Sequence, residues 1–113
     1  MGDGPRSDSE EDGGVTWTIQ IDPEAREEME AAYDFYESKR RGWGSRFVDR
    51  VQYEIERIQA NPMIHAEVHR DVRKAVVRQF PFVLIYRIES TVVRIVAVFH
   101  TSRDPGAWRK RVS

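Results

Sequence analysis

His100 and Arg103 follow the last apolar run of the chain and bring together two groups that phosphoryl chemistry uses. An imidazole exchanges a proton near neutral pH. A guanidinium three residues on could stabilise a pentavalent phosphate, which suits an RNase whose nucleophile is the ribose 2′-hydroxyl. The alternative is structural: His100 hydrogen-bonds a neighbouring loop, while Arg103 pairs with Asp104 or caps a helical hairpin.

Other chemistries find less material. His65 and His69 are four apart, a spacing that could place two imidazoles on one helical face for zinc with Glu67 nearby. Pro62 has just ended the helix, however, and no third ligand has a clear position, so no metal is expected. The chain has no cysteine, hence no disulfide framework and no thiolate. Gly42 and Gly44 lack the preceding strand and the following Lys-Ser/Thr of a phosphate-cradling loop, so no nucleotide cofactor is expected. Trp108, between Gly106 and the Arg109-Lys110-Arg111 run, could stack on a base or fold back over a sheet edge.

These residues need elements to hold them, and 113 residues allow one small domain. No run of apolar residues is long enough to cross a membrane, and the basic-apolar-small order of a secretory signal is missing. A soluble cytoplasmic protein is expected. Residues 1–14, MGDGPRSDSEEDGG, contain no apolar anchor and read as a disordered acidic leader; residues 15–113 form the domain. Val15, Trp17, Ile19 and Ile21 alternate with polar residues, as in a half-buried strand. Asp22-Pro23-Glu24 then supplies an N-cap oxygen, a suitable first helical residue and an acid at the helix start.

Ala25, Met29, Ala32, Tyr33 and Tyr36 predict an amphipathic helix from about Pro23 to Arg41. Gly42-Trp43-Gly44 breaks it, Val48, Val51, Ile55 and Ile58 restart the stripe, and Asn61-Pro62 ends it. So short a break predicts an antiparallel helical hairpin. Tyr33, Phe35, Tyr36, Trp43 and Phe47 read as packing residues rather than a base-stacking platform. Three runs rich in β-branched and aromatic residues follow: Val72 to Gln79, Phe82 to Ile88 and Val92 to Phe99. They predict an antiparallel meander whose middle run is covered on both faces. The fold class expected is α+β, in the order β-α-α-β-β-β: an N-terminal strand and a two-helix hairpin on one face of a four-stranded antiparallel sheet. A short C-terminal turn or helix completes it.

The formal net charge of −1 conceals a division. Residues 15–60 carry ten acids against seven bases, whereas residues 61–113 carry four acids against ten bases, a net of +6. If those bases gather on one face, that face attracts a polyanion or an acidic peptide.

The succession of Asn61-Pro62, Val72-Arg73-Lys74, Phe80-Pro81-Phe82 with the apolar strand to Tyr86, Val92 to Val98, His100-Thr101-Ser102-Arg103-Asp104-Pro105 and Trp108 resembles the RelE/ParE superfamily of type II toxin-antitoxin toxins, more its ParE-like, plasmid-stabilisation branch. The similarity spans Val15 to Arg111. It implies a small growth-inhibiting toxin that a cognate antitoxin protein wraps and neutralises in a hetero-oligomeric complex. The superfamily divides between ribosome-dependent mRNA endonucleases and proteins that poison DNA gyrase, and one fold serves both. In the nucleases a middle-strand arginine stabilises the transition state; the matching position here is Val83, which leans the resemblance toward gyrase inhibition. On that reading Arg73, Arg78, Arg87, Arg94, Trp108, Arg109, Lys110 and Arg111 contact target or antitoxin. On the nuclease reading His100, Arg103 and Lys74 are catalytic and no metal takes part.

Overall fold

The computed structural model describes residues 16–112, so the acidic leader and Val15 lie outside the described residues. The chain runs β1 (Thr18–Ile21), α1 (Pro23–Lys39), α2 (Trp43–Ala60), a 3-10 turn (Pro62–Ile64), β2 (Glu67–His69), β3 (Val72–Val77), β4 (Phe82–Glu89), β5 (Val92–His100) and α3 (Gly106–Val112). Among the described residues no helix is long and apolar enough to cross a membrane.

The α+β architecture is the expected one, with two refinements in the sheet. It has five strands, in the order β1-β5-β4-β3-β2, and it is mixed, because β1 pairs with β5 in parallel, Thr18 beside Val92 and Ile21 beside Ile95. The meander from β3 leaves β5 running in the direction of β1, so a strand added beside it is parallel. The added strand β2 folds back on β3 through a turn in which Arg70 takes the left-handed region at φ 49°. Three residues with a single apolar side chain carried no period by which to recognise it.

The hairpin packs where the helical periods place it. Ala25, Ala32, Phe47, Val51, Ile55 and Ile58 bury against Ala75, Val77, Leu84, Tyr86, Val93, Ile95 and Val98. Tyr36, Phe47, Phe80 and Phe82 interlock at one end, with Phe47 5.2 Å from Phe80 and 5.0 Å from Phe82, ring centre to ring centre. Gly44 does not break the helix; it lies inside α2, buried, where a Cβ would stand 2.8 Å from the Tyr33 ring and carbonyl. The glycine thus allows α1 and α2 to close on each other. Phe35 and Trp43, expected to pack, stay 55% and 36% exposed at the far end of the hairpin.

Asp22 precedes α1 but does not cap it with its side chain. The carboxylate instead accepts from Arg94 Nε at 2.8 Å, a charged partner outcompeting a backbone N–H. That hydrogen bond raises the Arg94 pKa above its ordinary value.

The face of the sheet away from the hairpin has its own core of Val72, Val83, Ile85, Val96, Ala97 and Phe99, closed by Trp108 from α3. This second layer is why the middle run is apolar at consecutive positions. The two faces are phased by an irregularity in β5: Ile85 pairs with Ala97 but Tyr86 with Ile95, so Val96 is an extra residue in the ladder. A bulge of this kind reverses which side chains point to which face beyond it.

Candidate functional site

On the far face, Trp108 and the segment after β5 stand over the sheet and leave a cleft of about 160 Å³. Val83 and Phe99, a directly paired position of β4 and β5, contribute its apolar surface. Lys74, Arg103 and Arg109 bring positive charge, and Val68, Thr101 and Pro105 complete the lining. Lys74 is exposed and forms no ion pair among the described residues, so its charge is available to a ligand. Trp108 is buried, takes the sheet-covering role, and packs edge to face with His69 at 6.0 Å.

Arg103 stands at the rim between two environments. Its guanidinium lies 4.3 Å from the centre of the Phe99 ring and donates to Glu28 Oε2 at 3.2 Å, so its carboxylate partner is Glu28 rather than the neighbouring Asp104. Asp104 accepts instead from the Gly106 N–H at the start of α3.

The structure places Lys74 and Arg103 in one cleft and His100 outside it. Because of the bulge, His100 pairs with Phe82 and faces the helices, its ring 5.0 Å from that of Phe82. It borders a separate depression with Glu28, Ala31, Ala32 and Val98, which Arg103 also reaches. The Nδ1 atom accepts from the Ser102 backbone N–H at 3.0 Å, and the Ser102 hydroxyl lies 2.8 Å away. That loop contact is the structural alternative foreseen for His100.

The remaining strand cations are engaged within the fold, which corrects the expectation of one freely presented basic face. Arg87 meets Asp71 at 3.1 Å and Glu89 at 3.5 Å, and Arg94 meets Asp22 and Glu89. Arg73 lies on the helix side and donates to the His65 carbonyl. Arg111 meets Glu28 at 2.6 Å and Glu24 at 3.7 Å. Asp22, Glu24 and Glu28 of the first half fold onto Arg94, Arg103 and Arg111 of the second, so part of the division of charge along the chain cancels in space. Arg78 and Lys110 remain exposed, in the β3–β4 turn and on α3, and Arg109 lies 5.5 Å from the Trp108 ring centre.

His65 and His69 diverge. His65 Nε2 lies 3.8 Å from the buried Glu54 carboxylate, whereas His69 packs on Trp108. Among the described residues no three His, Cys, Asp or Glu side chains gather as a metal site.

Glu28 is the residue that inspection of the sequence missed. It accepts from the Val98 N–H at 3.0 Å and from both Arg103 and Arg111. The available signal was an acid on the apolar stripe of α1, between Ala25 and Ala32.

The family model describing the ParE toxin of the type II toxin-antitoxin system parDE matches residues 19–105. The chain belongs to the ParE toxin family. Solved structures agree on the fold. The chromosomal ParDE system of P. aeruginosa matches with a TM-score of 0.69 at 18% identity, covering 79% of this chain and 100% of that one. A mutant of E. coli toxin RelE in the free state matches with a TM-score of 0.65 at 17% identity, covering 87% of this chain and 99% of that one. The same RelE mutant in complex with a peptide of the antitoxin RelBc matches at 0.57 and 16%, covering 87% and 96%. No curated protein matches significantly. The ParE family match runs from within β1 to Pro105, just before α3, and so includes Lys74, Val83 and Arg103 but not Trp108.

Proposed function

We propose that this ParE-family toxin arrests growth in the cytoplasm by binding DNA gyrase, and that a cognate antitoxin neutralises it. The observation that carries this reading is the composition of the cleft: Val83 and Phe99 form an apolar surface flanked by Lys74, Arg103 and Arg109. Such a lining suits a docked side chain with a charged surround. It offers little for general acid-base catalysis, which needs a proton carrier within hydrogen-bond reach of the reacting group. His100, the imidazole of the proposed catalytic set, lies on the opposite face from Lys74. The expected result is loss of supercoiling by purified gyrase when the toxin is added; full supercoiling at a large molar excess of toxin overturns the proposal.

A second reading is favoured by one observation, that Lys74 and Arg103 do share the cleft. Two cations there could hold an RNA phosphate for ribosome-dependent cleavage. Codon-positioned cuts in a translation reaction that vanish in Lys74→Ala would establish it. Intact message during growth arrest would dismiss it.

For the antitoxin, the segment that binds would carry carboxylates to Lys74 and to exposed Arg78 and Lys110, and would make a hetero-oligomer that hides the cleft. The RelE structure with an antitoxin peptide is the precedent for a peptide-bound state of this fold.

A further inference from the structure

The cations that the fold leaves unengaged are concentrated away from the sheet, at the tip of the helical hairpin. Residues 37–46, ESKRRGWGSR, hold four bases against one acid. That acid is turned inward: the Glu37 carboxylate accepts from the Gly42 N–H at 3.0 Å and from the Gly44 N–H at 3.0 Å, so it holds the loop and fills the start of α2. Lys39, Arg40, Arg41 and Arg46 are all exposed and form no ion pair among the described residues. This contrasts with Arg87, Arg94, Arg103 and Arg111, each of which faces a carboxylate.

The same tip displays its aromatics. Trp43 is 36% exposed, with the Arg40 guanidinium 5.9 Å from its ring centre, and Lys39 lies 5.1 Å from the centre of the exposed Phe35 ring. Arg40, Arg41, Gly42, Trp43 and Arg46 line a polar depression of about 290 Å³. An accessible indole among unpaired guanidiniums matches the way single strands are held, by base stacking on an aromatic face with cations along the phosphates. A purely acidic protein partner would use the charges but leave the indole without a function.

We propose that the hairpin tip is a contact site for single-stranded nucleic acid, with Trp43 as the stacking surface and Arg40, Arg41 and Arg46 on the phosphates. The site is separate from the cleft on the far face and does not depend on whether gyrase or the ribosome is the target. Its role is to hold the toxin on a nucleic-acid-bearing complex through exposed strand.

Fluorescence anisotropy of labelled oligodeoxythymidine and oligouridine, titrated with the full chain over a salt series, tests this. Binding of either polymer is expected, and the tighter one identifies the sugar recognised. Arg40→Ala/Arg41→Ala is expected to flatten the log–log salt dependence by about 1.4, since each lost phosphate contact removes about 0.7 on single strands. Trp43→Ala is expected to weaken binding about tenfold, as loss of one stacked base does. Arg26→Ala/Arg70→Ala, which removes the same charge from the start of α1 and the β2–β3 turn, is expected to change neither quantity comparably. All these side chains are exposed, and circular dichroism checks that the fold is kept. No binding of either polymer, equal weakening by both double variants, or tighter capture of a polyglutamate peptide overturns the proposal.

Discussion

Glu28 and Arg111, 83 positions apart, complete the hydrogen-bonding edge of β5 where β1 ends. β1 covers β5 only as far as Ile95. Beyond it, Arg111 donates to the Val96 carbonyl at 3.1 Å and Glu28 accepts from the Val98 N–H at 3.0 Å, while the two side chains meet at 2.6 Å. The hydrogen bond to Glu28 raises the Arg111 pKa, and the pair ties α3 to α1. We predict that Arg111→Met costs about 1–3 kcal/mol, because it leaves polar groups in a partly buried place unpaired. Urea denaturation measures this. In a double-mutant cycle with Glu28→Gln the losses should fail to add by about 0.5–3 kcal/mol; additive losses would show that the residues act independently.

Gly44→Ala tests the close approach of the helices. Alanine favours a helix interior by about 1 kcal/mol over glycine. A Cβ 2.8 Å from both the Tyr33 ring and its backbone carbonyl cannot be relieved by rotating a flexible side chain alone. Overpacking of this kind costs about 1–3 kcal/mol, so a net loss is expected. A raised thermal midpoint would mean that α1 moves aside freely.

His65 gives stability a pH dependence. Burial lowers its pKa from 6.5, Arg57 adds to the lowering, and Glu54 opposes it. Just below pH 6.5 the unfolded chain therefore binds a proton that the folded chain resists, and stability rises with pH through that window. The contribution is present above the unfolded pKa and is lost as pH falls toward the lowered folded value. Urea midpoints between roughly pH 5 and 7 should slope less in His65→Gln. An unchanged slope would assign the dependence to other groups.

Lys74 separates stability from function. It is exposed and unpaired, so Lys74→Ala should move the folding free energy by no more than about 0.5 kcal/mol. Growth arrest after induction should nevertheless weaken at equal soluble protein. Undiminished arrest would remove the cleft from the proposed mechanism.

The parts of the fold that follow a local period were legible in the sequence. Val51, Ile55 and Ile58 on α2, and the doubly apolar run of β4, lie where spacing placed them. Features set by distant pairing were not legible. The Asp22 carboxylate reads locally as a cap, yet Arg94, 72 positions later, takes it. Glu54, like Glu28, is an acid on an apolar stripe, and its burial beside Arg57 and His65 needed the approach of the 3-10 turn. Trp43 and Phe35 read as packing residues, but it is their neighbours Phe47 and Tyr36 that turn inward to Phe80 and Phe82, leaving these two exposed. His100 and Lys74 both border strands of one sheet. Strict alternation from Arg94 would have placed His100 on the face of Lys74, and the extra Val96 places it on the other.

That one residue makes the chemistry of the fold sensitive to strand register. Deleting Val96 would leave His100 and Phe99 on their present faces, whereas a regular ladder through Val96, with no residue left over, would swing His100 to the lysine side and Phe99 toward the helices. A proton carrier and a phosphate-holding cation would then share one recess, although no functional side chain had been replaced. A slip of register there, rather than a change of length, would thus convert a docking surface into a reactive one.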